Sequence, residues 1–219
     1  MEGKKIRIAY FVSGLAGGVC NVIANYMKHM PDDYIVDIIT QNITSDKYRK
    51  LYEDLGYNII LVPSKSESVF RNFQAIYKLM KARRYDIVHA HMTLTNCFPL
   101  FIASLCGVKI RISHSHMAGK RTIKSIILAF MSRKFATDYF ACGEEAGQYL
   151  YGKQKFQIIN NAIELEKYYP NNEIRNSQRE KFGIKDKTIV LGHVGRFTYQ
   201  KNHKKIIDIF EQYHKKNPD

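Results

Sequence analysis

Apolar runs rich in β-branched residues alternate with amphipathic segments through most of this chain, and that alternation restricts its fold more than any other feature. Residues 5–13 have the composition of a buried strand, and apolar residues between positions 19 and 30 then recur at helical spacing. Further strands are predicted at 35–40, 58–62, 86–91, 109–114, 139–142 and 157–159, with helices at 46–55, 70–82, 97–106, 123–135 and 144–151. Such alternation predicts an α/β fold, a doubly wound, Rossmann-like parallel sheet with helices on both faces.

The composition is that of a folded protein with a basic surface. Of 219 residues, 45% are hydrophobic, and 34 Lys and Arg against 20 Asp and Glu give a formal net charge of +14. Four cysteines form no paired motif, so reduced thiols of a cytoplasmic protein are expected. No apolar run approaches the ~20 residues of a membrane span. The net charge of +14 indicates an anionic partner, which is nucleic acid, an anionic membrane surface or an anionic substrate.

A segment near the C-terminal end has the residues of a phosphate site. Residues 188–194 are apolar and β-branched, as in a buried strand, and Gly195, Arg196, Lys201 and Asn202 follow. Arg196 offers a planar fork and Lys201 a point charge, beside a helix start that Asn202 is expected to cap. The alternative is a plain turn before a solvated helix. We predict a diphosphate site at Arg196 and Lys201.

Composition also changes along the chain. Residues 166–187 are rich in turn formers and then in charge, which is typical of a linker. We predict an N-terminal domain at 1–165, an interdomain linker at 166–187, and the first strand and helix of an incomplete second domain at 188–219. One strand and one helix cannot close a core. The apolar face of that last helix, formed by Ile206, Ile207 and Phe210, is therefore expected to be under-packed.

A glycine turn follows the first predicted strand, at the edge of the sheet where α/β proteins bind ligands. Gly17 and Gly18 let the backbone approach a ligand at a helix N-terminus, although a plain strand–helix turn is the alternative. The turn lacks the GxGxxG pattern, and no acidic residue ends the second strand. A dinucleotide such as NAD is therefore disfavoured.

Two His-x-His pairs end two successive predicted strands. His89 and His91 leave the strand at 86–91, and His114 and His116 leave the next one. No carboxylate or cysteine accompanies them at ligand spacing, so no metal site is predicted. Histidines at strand ends commonly hydrogen-bond to neighbouring loops, and a structural role is expected for His89 and His91.

The predicted helix at 123–135 has basic ends. Its apolar residues are expected to form the inner face that packs on the sheet; they are Ile123, Ile126, Ile127, Phe130 and Met131. Lys120, Arg121, Lys124, Arg133 and Lys134 surround them. Such a helix could lie against anionic lipid at the inner face of the cell membrane, and an ordinary sheet-packing helix is the alternative. Nucleic acid is disfavoured because no recognition helix or aromatic–basic platform is present.

Six sequence blocks, in this order, resemble the retaining GT-B glycosyltransferases of family 4, within them the bacterial polysaccharide-type hexosyltransferases. The blocks are 17–19 (GGV), 86–91 (DIVHAH), 113–116 (SHSH), 142–147 (CGEEAG), 159–163 (INNAI) and 192–203 (GHVGRFTYQKNH). The resemblance covers essentially the whole chain. It implies transfer of a hexose from a nucleotide-sugar to a glycan or lipid-linked acceptor, with retention, in capsule or exopolysaccharide synthesis.

The resemblance also implies roles for single residues. His116 is expected at the donor-sugar site, Gly17 and Gly18 at the acceptor and donor phosphate, and Arg196 with Lys201 at the leaving diphosphate. No cofactor or metal is implied. Cys20 stands where the family commonly has an acidic or amide residue.

A second class of function stays open. The family's glutamate pair, and most of the nucleotide-sugar-binding domain that would begin at 188–219, have no counterpart in this sequence. A non-catalytic acceptor-binding or assembly module is therefore the alternative to an enzyme.

Overall fold

The computed structural model describes residues 5–217. The strands are β1 (Ile6–Phe11), β2 (Tyr34–Thr40), β3 (Asn58–Leu61), β4 (Ile87–Ala90), β5 (Ile110–Ser115), β6 (Asp138–Ala141) and β7 (Gln157–Ile158). The helices are α1 (Gly17–Met27), α2 (Asp46–Asp54), α3 (Val69–Arg83), α4 (Cys97–Leu105), α5 (Ile123–Phe135), α6 (Glu144–Tyr151), α7 (Asn172–Lys181) and α8 (His203–Lys216). Short 3-10 turns cover Thr93–Asn96, Leu165–Lys167 and Tyr199–Lys201.

The seven strands form one parallel sheet in the order β3-β2-β1-β4-β5-β6-β7. This confirms the predicted α/β, doubly wound architecture. In the register of the central strands, Tyr10 of β1 lies beside His89 of β4, which lies beside Ile112 of β5. The carboxyl ends of these three strands therefore meet at one edge of the sheet.

Two apolar layers cover the sheet. Side chains of successive β1 residues point to opposite faces, so Ala9 and Phe11 join one buried cluster while Ile8 and Tyr10 join the other. Helices α3 and α4 pack on the first face, and α1 and α2 on the second. Among residues 5–217, no helix is long and apolar enough to cross a membrane.

The inner face predicted for α5 is wrong. The buried residues of this helix are Ser125, Ala129 and Ser132, whereas Ile123 is 81% exposed. These three small side chains recur at helical spacing, and the Ser132 hydroxyl lies 3.5 Å from the Leu94 carbonyl that it donates to. Small residues allow close packing, so α5 packs through them, and Ile126, Ile127 and Phe130 are exposed like Ile123.

The chain divides into two compact units, Met1–Leu165 and Glu166–Asp219. Within the second, the stretch predicted as a linker contains α7. The Asn171 side chain caps α7 by accepting a hydrogen bond from the Ile174 N–H at 2.9 Å. The buried Arg179 guanidinium donates to the carbonyls of Asp186 (3.0 Å) and Thr188 (2.9 Å), which ties the following turn to the helix.

The strand predicted at 188–194 is wrong: the structure assigns no strand to these residues, and Val194 is fully exposed. A strand needs a neighbouring strand for its backbone hydrogen bonds. Among the described residues, none of the seven strands lies beside residues 188–194 in the sheet. The packing prediction for α8 is confirmed, since it buries none of its residues and Ile207 is 66% exposed. Asn202 precedes α8 in a left-handed conformation (φ 45°), and its side chain does not cap the helix.

Candidate functional site

Four histidines converge where β4 and β5 end. His89 Nε2 lies 3.2 Å from His114 Nδ1, and His91 Nδ1 lies 2.7 Å from His116 Nε2, so in each pair one ring donates to the other. The rings of His114 and His116 stack with centroids 4.2 Å apart. Tyr10 of β1 stacks on His91 at 5.3 Å. The structure therefore joins two sequence motifs into one cluster at the sheet edge.

The cluster is uncharged at neutral pH. Burial lowers the pKa of His114 to about 3, with a contribution from His116, and lowers the pKa of His116 to about 4. Burial, followed by the neighbouring histidines, holds the pKa values of His89 and His91 well below 6.5. Neutral imidazoles orient a ligand by directional hydrogen bonds rather than by charge.

His116 is the exposed end of the cluster. It is half-buried, whereas His89, His91 and His114 are buried. Its Nε2 engages His91, so Nδ1 is the ring atom that remains for a ligand. The order of burial separates one partly exposed histidine from three buried ones. The structural role expected of His89 and His91 agrees with their burial.

A 3-10 turn after β4 fixes this arrangement, and the sequence interpretation missed it. Asn96, fully buried, donates to the Ser113 hydroxyl at 2.9 Å and the His114 carbonyl at 3.1 Å, and accepts from the Met92 N–H at 2.6 Å. The side chain therefore clamps the end of β4 to the end of β5. The only sequence signal was an asparagine just before an apolar helix, which is equally typical of an ordinary cap.

Thr93 opens the same turn in a strained conformation. Its φ is +51°, which costs a β-branched residue free energy, and its hydroxyl accepts a hydrogen bond from the His116 N–H at 3.3 Å. The strain is thus located where the backbone of His116 is held.

The buried histidines form a candidate metal-ligand set. One nitrogen each from His89, His91 and His114 lies within 4.8 Å of the other two. Among the described side chains, His91 Nε2 and His114 Nε2 are buried without a hydrogen-bond partner. However, His89 and His114 already bond to each other, so an ion would have to replace that contact. The expectation that no metal is bound stays a prediction.

The glycine turn lies at the neighbouring end of β1. Gly17 adopts φ +79°, which favours glycine, and a Cβ added at Gly17 or Gly18 would meet no atom within 4 Å. No side chain caps the N-terminus of α1. The first backbone N–H groups of α1 therefore have no side-chain partner, and both glycines are exposed, as an anion site requires.

Cys20 is a core residue of α1 rather than part of that open face. It is 1% exposed, and burial raises the pKa of its thiol, whose Sγ lies 3.4 Å from the Gly14 carbonyl. Tyr52 donates to the Cys20 carbonyl at 2.7 Å. The Cys20 side chain therefore contacts protein atoms and is not accessible to a ligand.

The second unit presents the two predicted phosphate ligands in the open. Arg196 and Lys201 are both exposed. A Cβ added at Gly195 would lie 3.3 Å from Lys201 Cγ, so the lysine stem packs against the backbone next to Arg196. The structure brings these two residues into one segment, with Lys201 ending the 3-10 turn that precedes α8.

Comparisons with known proteins identify similar glycosyltransferases. The sequence profile of Glycosyltransferase Family 4 matches residues 16–167. The chain is 27% identical to the putative glycosyltransferase EpsF of Bacillus subtilis (strain 168), covering 93% of this chain and 57% of that protein. It is 26% identical to an Escherichia coli UDP-Gal:alpha-D-GlcNAc-diphosphoundecaprenol alpha-1,3-galactosyltransferase, covering 90% of this chain and 55% of that one.

Solved structures show the same fold at low identity. Anabaena Alr3699/HepE in complex with UDP and glucose superposes with a TM-score of 0.74 at 14% identity, over 94% of this chain and 58% of that one. A glycosyltransferase from Rickettsia africae gives 0.71 at 16% identity, over 96% and 58%. This chain thus spans somewhat more than half the length of these relatives. Since the family profile covers most of the chain, from the glycine turn through both histidine motifs, the protein belongs to glycosyltransferase family 4.

Proposed function

We propose that this chain serves hexose transfer from a nucleotide-sugar to a glycan or lipid-linked acceptor, with retention of anomeric configuration, in the synthesis of a capsule or exopolysaccharide. The observation that carries the proposal is the neutral histidine cluster, in which His116 is half-buried and the other three rings are buried. His116 offers a hydrogen bond from a fixed position, and the buried histidines beside it carry no charge. Such a surface suits an uncharged sugar ring.

In this proposal His116 is the catalytic residue, because it contacts the transferred sugar. Its Nδ1 hydrogen-bonds a hydroxyl, and His91 fixes the ring through the 2.7 Å contact. The open backbone at Gly17 and Gly18 approaches the acceptor and the donor phosphate, where free N–H groups of α1 favour negative charge.

Arg196 and Lys201 stabilise the leaving diphosphate. A guanidinium binds phosphate oxygens as a fork and an ammonium as a point charge, and neither needs a metal ion. As the sugar moves to an acceptor hydroxyl, the bond between its anomeric carbon and the diphosphate oxygen breaks and negative charge develops on the diphosphate. These cations therefore act more strongly in the transition state than in the ground state.

Two relatives support the substrate classes. The Anabaena protein is described in complex with UDP-glucose, and the Escherichia coli protein is named for transfer to a diphosphoundecaprenol-linked sugar. An acceptor on a lipid carrier places the reaction at a membrane. We therefore propose a cytoplasmic protein that works at the inner face of the cell membrane.

A non-catalytic acceptor-binding or assembly module is the second candidate. It is favoured by the exposed apolar side chains of α8, which offer a surface for another protein. Such a module would bind the acceptor without turnover.

A transfer assay separates the two candidates. Purified chain is incubated with labelled nucleotide-hexoses and lipid-linked acceptors, while acceptor binding is measured in parallel. Sustained transfer that His116→Ala lowers by about a hundredfold or more, a far larger effect than its effect on folding stability, supports the enzyme. His89→Ala should mainly lower stability. Acceptor binding without transfer supports the module, and equal transfer by His116→Ala and wild type would remove His116 from the mechanism.

A further inference from the structure

Helix α5 turns four of its large apolar side chains toward solvent. The fractional exposure is 81% for Ile123, 53% for Ile126, and 56% for both Ile127 and Phe130. These positions recur at helical spacing and form one stripe opposite the buried Ser125, Ala129 and Ser132. A contiguous apolar stripe on a helix surface is typical of an interaction site.

The charged residues in the sequence around the stripe are all basic. Residues 117–137 contain five Lys or Arg and no Asp or Glu; the cations are Lys120, Arg121, Lys124, Arg133 and Lys134. A second copy of this chain would bring the same positive charge to the contact and would be repelled. An anionic lipid surface instead complements both the charge and the apolar stripe.

A pocket of about 220 Å³ opens beside this stripe, between α5 and the end of α6. Its lining includes three cations, Arg121, Arg133 and Lys153, together with Ile126 of the stripe, and no carboxylate. The pocket thus has the charge of an anion site and opens at the apolar edge.

Two of the cations are held in place. Arg121 donates to the Gln148 carbonyl at 3.0 Å, and Arg133 donates to the Leu150 carbonyl at 2.9 Å. Each contact uses one of the five N–H donors of a guanidinium, which leaves donors for a phosphate. Anchored guanidinium groups bind an anion at a lower entropic cost than freely moving ones.

We propose that α5 docks on an anionic phospholipid membrane, with the stripe Ile123, Ile126, Ile127 and Phe130 in the interface and a lipid headgroup phosphate in the pocket of Arg121, Arg133 and Lys153. The proposal rests on the membrane location proposed above, but it needs neither the histidine cluster nor transfer. It defines a lipid site on α5 and α6, formed by residues that take no part in the proposed sugar chemistry.

Vesicle flotation of the full chain tests the proposal. Wild type should float with phosphatidylglycerol vesicles and not with phosphatidylcholine vesicles. Arg121→Glu and Lys153→Glu should each weaken binding by about fivefold or more, because each cation near such a surface contributes about that factor. The matched control is Lys50→Glu. Lys50 is an exposed lysine of α2, which packs on the face of the sheet opposite to that of α4 and the end of α5. Ile127→Ser should weaken binding without changing the free energy of unfolding.

Several outcomes would overturn the proposal. These are flotation independent of lipid charge, equal losses in Arg121→Glu and Lys50→Glu, or no loss in Ile127→Ser. Saturable binding of soluble glycerol phosphate without vesicle association would identify a free-anion site instead. A lipid-free dimer abolished by Ile127→Ser would show that a second copy covers the stripe. Transfer to a water-soluble acceptor should survive Arg121→Glu, so failure of the lipid site is distinguishable from failure of the proposed reaction.

Discussion

The histidine cluster and the Arg196–Lys201 segment are both candidate ligand sites, yet the protein builds them in opposite ways. The cluster is buried, uncharged and held by a clamp of hydrogen bonds from Asn96. Arg196 and Lys201 are exposed cations, supported locally by a 3-10 turn and the close approach at Gly195. Packing and hydrogen bonds fix the positions of the rings in the histidine cluster, whereas the cations Arg196 and Lys201 remain solvated by water.

The clamp should give the largest effect on stability. Asn96→Ala leaves the Met92 N–H and the His114 carbonyl without their partner in a buried site, so we expect a loss of about 3 kcal/mol in the free energy of unfolding. Chemical denaturation measures it. The exposed segment supplies the control, since Lys201→Ala should change stability by less than about 0.5 kcal/mol. Equal losses in the two variants would remove the contrast between the regions.

Acid should destabilise the cluster. In the unfolded chain these histidines take up protons near pH 6.5, whereas the folded pKa is about 4 for His116 and about 3 for His114. Between those values the unfolded state binds more protons, so stability is full above about pH 6.5 and falls as the pH drops toward 4.

The pH dependence is measured by denaturation at a series of pH values. His116→Gln removes one titrating group and should make the decline between pH 6.5 and 4 shallower. A decline that His116→Gln leaves unchanged would mean that His116 is as accessible to protons in the folded protein as in the unfolded chain.

How far the sequence predicts the molecule is clearest in α4 and α5. Periodicity located both helices, because apolar spacing and chain breakers are local signals. It misplaced the inner face of α5, because three small residues that fit a neighbour leave a weaker pattern than the isoleucines and Phe130 that point outward. Which stripe is buried depends on the shape of the neighbouring helix, which the local sequence does not encode.

The candidate site was predictable to a similar degree. Parallel strands bring their carboxyl ends together, so the meeting of the two histidine pairs follows from the fold. The clamp by Asn96 does not, since Ser113 and His114 lie on β5, far along the chain, and its conformation comes from a 3-10 turn with a strained Thr93. The strand predicted at 188–194 failed because a strand needs a neighbour, which no local pattern supplies.

The central claim is that His116 contacts the sugar of a nucleotide-sugar, and histidine-ring NMR of the full chain tests it most directly. At neutral pH, titration with UDP-glucose to millimolar concentration should move the His116 ring signals saturably, and the buried His89 signals much less. UDP alone should move His116 less than UDP-glucose does, because the sugar contact is missing. If UDP-glucose leaves the His116 signals in place, or if UDP alone moves them equally, the assignment of His116 to the sugar site is contradicted.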